Sequence, residues 1–502
     1  MSRRVLRLRW LSLLFVLLMV AAACAGDDTS GEAATEDGDA TPEDVGAGTE
    51  EGEATPDDED ETEAAAEPTG EPVTISIAEN AVRGGKNAIM ADYLIDYAIP
   101  TFTEQMAADG RDVTVEFTES GIEDEDYKSR LALDLSVGEG PDVIGFDSFW
   151  LSEFVAAGYL QPLTELVGPE VDDWEGWEQI PEAVAGSLEL EGERYGLPLG
   201  TDGRVLFYRS DVLAEAGLGE DFQPESWEDI LEAARTIAEE LPDVTPLQVN
   251  AGTSMGEATT LQGFMPILLG TGAQLHDGEA WIGDTPQLRQ ALEFYDEVYS
   301  EGLGDAELQV RADGRDRSFQ EFSEGGIAML IESDYLWRGV IAPEALFPVE
   351  NRDEVVGWAK IPAMEPGAGI RGQDFVSASG GTGRVLNPGT EHPQEAWEFL
   401  SFLGSEEALT EFVEREPRVT AREDVNATGI ADDPMLTFIA EETLPITWYR
   451  PGFEEYPQVS EAIQRMVENL VAGRNSVEEA AQAFEADLQG IVGEENIRSE
   501  TG

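Results

Sequence analysis

The chain is poor in the residues on which metal and thiol chemistry depend. It has one cysteine and two histidines in 502 residues, which excludes an internal disulfide and leaves too few Cys and His for a structural zinc site or an iron–sulfur cluster. Positive charge is also scarce: 29 Lys and Arg stand against 105 Asp and Glu, a formal charge of −76. Such a surface repels phosphate backbones, so nucleic acid is excluded as a partner. No apolar run is long enough to cross a bilayer, since the fourteen residues from Trp10 to Ala23 fall short of the roughly 20 that a span requires. Large side chains are present in ordinary amounts, with ten Trp, twenty Phe and an apolar fraction of 41%, so a sizeable core can form.

The charge is unevenly spread. Arg3, Arg4, Arg7 and Arg9 precede the short apolar run, which ends in Ala21-Ala22-Ala23-Cys24. This arrangement reads as an export signal of residues 1–24. Its end resembles a bacterial lipobox, with Ala21 where a larger aliphatic is usual, and that resemblance implies lipidation of Cys24 and a lipid anchor at the outer face of the cell membrane. Residues 25–72 hold nineteen acids, no base and a single large aliphatic. They cannot build a core and read as an acidic, disordered, extended tether. Beyond residue 72 the chain still carries 86 acids and 25 bases, so the folded body is acidic in its own right, as suits a salty or alkaline medium. No single acid is therefore evidence of chemistry by itself.

From Val73 short β-branched runs alternate with helical periods, which predicts an α/β architecture. Val73–Ile77, Val113–Phe117 and Val143–Phe146 are predicted strands. Met90, Leu94, Ile95, Ala98 and Phe102 predict a helix between the first two, and Tyr127, Leu131, Leu133 and Leu135 one between the next two. Ser226 with Asp229 predicts a capping box ahead of Trp227, Ile230, Leu231, Ala234 and Ile237. Further helices are predicted at 393–403 and 476–491. A body of 430 residues exceeds one core of roughly 250–300, so two lobes are expected, with crossovers at 197–208, 360–375 and 414–422.

The search for catalytic motifs is negative. There is no P-loop, no dinucleotide fingerprint, no nucleophile elbow and no H-E-x-x-H. His392, ahead of Pro393, suits a helix start, and His276 lies in a Gly/Asp-rich loop where exposure is expected. A glycosidase needs only two carboxylates, so that reading stays open. What the sequence does offer is aromatics beside polar groups: Phe146-Asp147-Ser148-Phe149-Trp150, Asp334-Tyr335-Leu336-Trp337 and Trp448-Tyr449-Arg450. Aromatic faces cover sugar rings while carboxylates and guanidinium groups take hydroxyls, although each aromatic alone could equally be core packing.

An ordered series of segments then resembles the bacterial extracellular solute-binding proteins (family 1) of carbohydrate-uptake ABC systems, the family of maltose- and trehalose-binding proteins. It includes Tyr127–Leu131, Gly138–Val143, Ala157–Leu163, Tyr195–Pro198, Leu206–Asp211, Ser226–Asp229, Phe322–Met329 and His392–Leu400. The resemblance implies a two-lobed, type II periplasmic-binding-protein-like fold closing on a hinge of crossover segments, with lobes at 73–200 plus 376–416 and 201–375 plus 417–498, and a tail at 499–502. It implies an importer's receptor that captures a sugar or oligosaccharide and passes it to ABC permease subunits in the membrane. That receptor is expected to be extracytoplasmic and monomeric, with no catalysis, no cofactor and no metal. Carried onto this sequence, the ligand contacts are Glu79 and Asn80 after the first strand, Asp147 and Trp150 after the third, and Asp202 and Arg204 at the first crossover. Asp334, Tyr335 and Trp337 follow, with a stacking aromatic expected among them. Gly380 and Gly381 would give close backbone approach, and Trp448 and Arg450 would close the far side. The opening strand shows Ala78-Glu79-Asn80 where the family often has Trp, which leaves the sugar open. The competing readings are a secreted paired-carboxylate glycoside hydrolase and a receptor of the same fold for a glycerophosphodiester or polyamine.

Overall fold

β-Branched residues pack well on a pleated surface, and all three runs form strands, Val73–Glu79, Val113–Glu119 and Val143–Asp147. The computed structural model describes residues 71–500 apart from Glu123 and Glu344. Cys24, the export signal and residues 25–70 of the tether lie outside the described residues. The three strands pair in parallel with Val73–Glu79 in the middle. Parallel pairing requires crossovers, supplied by a helical run, Ala88–Tyr93, Leu94–Ala98 and Ile99–Ala108, and by the helix Asp124–Ser136. In the latter Tyr127, Leu131 and Leu135 are buried at intervals of four, while Leu133 is 67% exposed and leaves the predicted stripe.

Gly381–Leu386 and Gly196–Thr201 complete a five-stranded sheet, with Gly381–Leu386 antiparallel to both of its neighbours. The pleat sends alternate residues to opposite faces. Val143 joins Ile75, Ile77, Phe102 and Phe399 on one side, and Ile144 and Phe146 join Tyr127, Leu131 and Phe154 on the other. A second sheet of four strands runs in the order Val356–Ala359, Arg204–Arg209, Ile327–Ser333, Thr245–Gln248. Val205 and Phe207 pack on one face, Leu206 and Tyr208 on the opposite one. A smaller sheet joins Ile361–Pro362, Phe375–Ser379 and Thr447–Tyr449.

Two residues, Asp202 and Gly203, separate a strand of the first sheet from one of the second. The chain returns at Gly380, since Val376 and Ala378 still pack with the second sheet's core. The stretch 414–422 runs beside the first crossing, where Thr201 N–H donates to Val419 O at 3.4 Å and Ala421 N–H to Leu199 O at 3.3 Å.

The helix Trp227–Glu240 buries the five predicted residues, but its cap is only half of a box. Ser226 Oγ accepts from Asp229 N–H at 3.2 Å, whereas the Asp229 carboxylate accepts from Glu225 N–H at 2.9 Å. The reciprocal box forms instead at Ser476 and Glu479, opening the helix Val477–Val492. Pro393–Leu403 ends at Gly404, and His392 at its start makes no side-chain cap. His276 is half-buried rather than exposed, lying 5.1 Å from the ring of Trp281 and 4.0 Å from that of Phe453, and this burial lowers its pKa.

Candidate functional site

Parallel strands whose neighbours cross over in opposite directions leave a crevice at their carboxyl ends. The order Val113–Glu119, Val73–Glu79, Val143–Asp147 creates one there, and Glu79, Asn80 and Asp147 stand at its rim. The cleft comprises a volume of about 500 Å³ joined to one of about 250 Å³. Both are lined by Asp124, Asp147, Trp150, Gly200, Thr382 and Arg418. The opposite wall comes from the second sheet's side of the fold, through Arg204, Ser333, Tyr335 and the segment 254–262.

Asp147 ends its strand, and its carboxylate accepts from Phe149 N–H at 3.3 Å and from Arg450 Nη2 at 3.1 Å. Burial raises its pKa, and Arg450 offsets that only in part. Arg450 also lies 3.5 Å from Glu257 and has its guanidinium 4.6 Å from the centre of the Phe149 ring. Glu257 is held from behind by the hydroxyls of Tyr456 and Ser460, the latter at 2.6 Å. One arginine thus joins a carboxylate at the end of the first sheet to one on the opposite wall.

Asp202, at the first crossing, accepts from Gly380 N–H at 2.7 Å and pairs with Arg204. Burial alone would raise its pKa. The Arg204 guanidinium, the Gly380 N–H and Arg450 together outweigh burial and hold it below the ordinary value. A Cβ on Gly380 would stand 3.1 Å from Arg450 Nη2, so glycine allows the close approach of strand and guanidinium at this point. Glu79 bonds Arg384 Nε at 2.6 Å across the sheet. Its carboxylate occupies the space above Gly145, where a Cβ would meet Glu79 Oε2 at 2.0 Å.

Asp147, Trp150, Asp202, Arg204, Tyr335, Gly380, Gly381 and Arg450 all line the larger volume, and Glu79 and Asn80 the smaller. Asn80 uses its amide on Ile122 and Asp124, at 2.8–3.2 Å, and so clamps a loop. Asp334 is fully buried, accepting from Gly203 N–H and from Arg338 Nε at 3.0 Å, so that Arg338 and not Asp334 lines the cleft. Trp337 is 1% exposed: its indole donates to Asp433 at 3.0 Å and its face carries Arg352 at 3.5 Å. It is a core residue and not the expected stacking platform; Tyr335, 41% exposed, is the aromatic of that segment that faces the cleft. Trp448 packs under Arg371 at 4.3 Å, outside both volumes.

Sequence reasoning missed Glu257, Gln262, Arg338, Thr382 and Arg418, all on the lining, whereas Phe149 belongs to an aromatic cluster singled out from the sequence. The short strand Thr245–Gln248 contains Pro246, which hides the loop after it, and Arg418 lies in a stretch that reads only as a crossover. Four lining atoms, Trp150 Nε1, Arg204 Nε, Gln262 Oε1 and Arg418 Nε, are buried with no hydrogen-bond partner among the described residues. Native proteins leave few such atoms. Gathered on one cleft, three donors and an acceptor suit a ligand with hydroxyl groups.

A family model described as "Bacterial extracellular solute-binding protein" matches residues 87–410. A putative binding protein of Brucella abortus (strain 2308) is 23% identical over 288 residues, 57% of this chain and 64% of that protein. The arabinooligosaccharide-binding protein of Halalkalibacterium halodurans is 25% identical over 295 residues, 56% of this chain and 59% of that one. The chain therefore spans less than two thirds of the length of these curated relatives. Among solved structures, a solute-binding protein of an ABC transporter from Thermotoga lettingae, bound to α-D-tagatose, is similar at 26% identity. It has a TM-score of 0.68, covering 84% of this chain and 100% of that chain. Maltose-bound MalE3 of T. maritima is similar at 21% identity and TM-score 0.66, with the same coverage.

Proposed function

The chain belongs to the bacterial extracellular solute-binding proteins and has their type II periplasmic-binding-protein fold, and on that premise we propose that it is the receptor of an ABC importer, taking a sugar or oligosaccharide into its cleft for delivery to a membrane permease. Family and fold are those of binding proteins, and the receptor leaves its ligand chemically unchanged. The observation that carries the reading is the set of unpartnered polar atoms on the cleft wall, flanked by Phe149 and Tyr335 as apolar faces and by Asp147 and Asp202 as acceptors for hydroxyls. The lobes proposed above, 73–200 with 376–416 and 201–375 with 417–498, but with 376–379 moved to the second because Val376 and Ala378 pack in its core, would close on ligand about the crossings at Asp202-Gly203 and Gly380. A ligand that touches both walls favours the closed state and shifts its population.

The test is a melting-temperature screen of the purified protein against sugars, polyamines and glycerophosphodiesters. A ligand at about 100 times its dissociation constant adds roughly 2.7 kcal/mol. One sugar class is expected to raise the melting temperature, with the shift lost in Asp202→Ala and no product formed. A shift with polyamines or phosphodiesters alone would refute the sugar reading, and consumption of the sugar would transfer the case to the hydrolase.

The proposal extends to location. The arginines before the apolar run and Cys24 at its end support an outer-face lipid anchor with residues 25–72 as spacer. Labelled fatty acid is expected to enter the wild-type chain and not Cys24→Ser, which should be released in soluble form; equal labelling of both would remove the anchor.

A further inference from the structure

Five arginines line the larger volume: Arg204, Arg315, Arg338, Arg418 and Arg450. In a body with only 25 basic residues so many in one cleft need an account, and for four of them carboxylates supply it. Arg204 pairs with Asp202, Arg315 with Glu332 at 2.6 Å, Arg338 with Asp334 at 3.0 Å and Glu416 at 2.9 Å, and Arg450 with Asp147 at 3.1 Å. Arg418 differs. Its nearest acid is Glu416 at 3.7 Å, beyond hydrogen-bond range, and that same Glu416 Oε1 is already bonded to Arg338. Arg418 Nε is buried without a hydrogen-bond partner among the described residues. Arg418 lines both volumes, so it stands where they join.

We infer that the ligand is an acidic saccharide whose carboxylate seats on Arg418, with its hydroxyls taken by Asp147, Asp202 and Gln262. This deepens the reading of the cleft as a sugar site and rests on it. A guanidinium presents planar paired donors that match a carboxylate. A single negative charge fits better than the double charge of a phosphate ester, because Asp147, Asp202 and Glu257 lie on the same lining and repel added charge. The overall charge of −76 does not prevent the capture of an anion, since ionic strength near 0.15 M screens distant charges beyond about 8 Å and the contact itself decides. Burial, and the like charge of Arg338, disfavour the protonated guanidinium of Arg418, and Glu416, Asp334 and Asp202 offset this only in part. Glu416, 3.7 Å away and already bonded to Arg338, compensates this buried cation only weakly, so this residue weakens the empty protein in a way that a ligand carboxylate would reverse.

The test uses the full chain and isothermal titration with pairs that differ only at C6: glucose and glucuronate, galactose and galacturonate, mannose and mannuronate, and their 1,4-linked dimers and trimers. At least one uronate is expected to bind about 10- to 100-fold more tightly than its neutral partner, the range of one charge-assisted contact. Arg418→Gln should remove that advantage, lowering uronate affinity by a larger factor than neutral-sugar affinity, and melt no lower than wild type without ligand. Arg418→Lys should retain part of the preference. Equal or tighter binding of the neutral partner overturns the inference while leaving the sugar receptor standing, as does an Arg418→Gln protein that loses both partners alike. Preference for glucose 6-phosphate over glucuronate overturns the carboxylate assignment. If none of these sugars binds and a polyamine or phosphodiester does, the sugar reading fails and this inference with it.

Discussion

A Trp337→Ala protein is expected to lose about 4 kcal/mol of folding stability and to bind ligand with an affinity within about 3-fold of wild type. The indole is 1% exposed, meets Trp358 edge-on at 5.2 Å and carries the Arg352 guanidinium on its face. Truncation opens a cavity and strips the indole N–H from Asp433, which also caps the helix Pro434–Phe438. Denaturant unfolding would measure the first effect and ligand titration the second. A variant with near-normal stability but no binding would return Trp337 to the cleft.

Arg450→Ala is expected to cost about 3 kcal/mol at neutral pH, near the lower end for breaking a buried ion pair, because about a third of the Asp147 side chain is exposed. The loss should shrink on acidification. Asp147 already has a raised pKa in the folded protein, and without Arg450 it rises further. An acid whose folded pKa exceeds its unfolded value near 4 binds more protons when folded. It therefore loses stability as pH rises through that interval, and recovers it as pH falls. Asp202 contributes in the opposite sense: its lowered pKa gives stability that is present above about pH 4 and lost as pH falls through its folded value. Melting temperatures of wild type and variant between pH 4 and 8 would follow Asp147, with the gap widest at the alkaline end, and a scan continued below pH 4 would show the loss of the Asp202 contribution. A gap independent of pH would show that Asp147 does not feel Arg450.

The difference between Tyr335 and Trp337 shows what could be read from sequence. Strands such as Val143–Asp147 were legible because a short, continuous apolar run rich in β-branched residues is written in the residues themselves, and Asp147 follows from its place at the strand's end. Asp202 and Gly380 were legible as sites of crossing and close approach. Tyr335 and Trp337, two apart, both suit a loop that faces a ligand. Leu336–Val340 instead forms a helical turn, which rotates the two side chains to opposite sides and turns the larger one inward. Trp448 looked like a wall of the cleft for the same reason, and its partner Arg371 is 77 residues away in the chain. Glu257 and Arg418 gave no signal of their own, because in a chain with 105 acids a carboxylate carries no information, and an arginine's lack of a partner is a property of three dimensions.

The place of Gly381–Leu386 in the first sheet also governs how the molecule comes into being. This strand sits between Val143–Asp147 and Gly196–Thr201, yet it leaves the ribosome more than 230 residues after the former, which at 5–20 residues per second is on the order of 12–45 s. Throughout that interval the nascent chain holds unpaired strand edges and an open apolar face. The protein must therefore reach its native state late and through contacts distant in sequence, a topology that folds slowly.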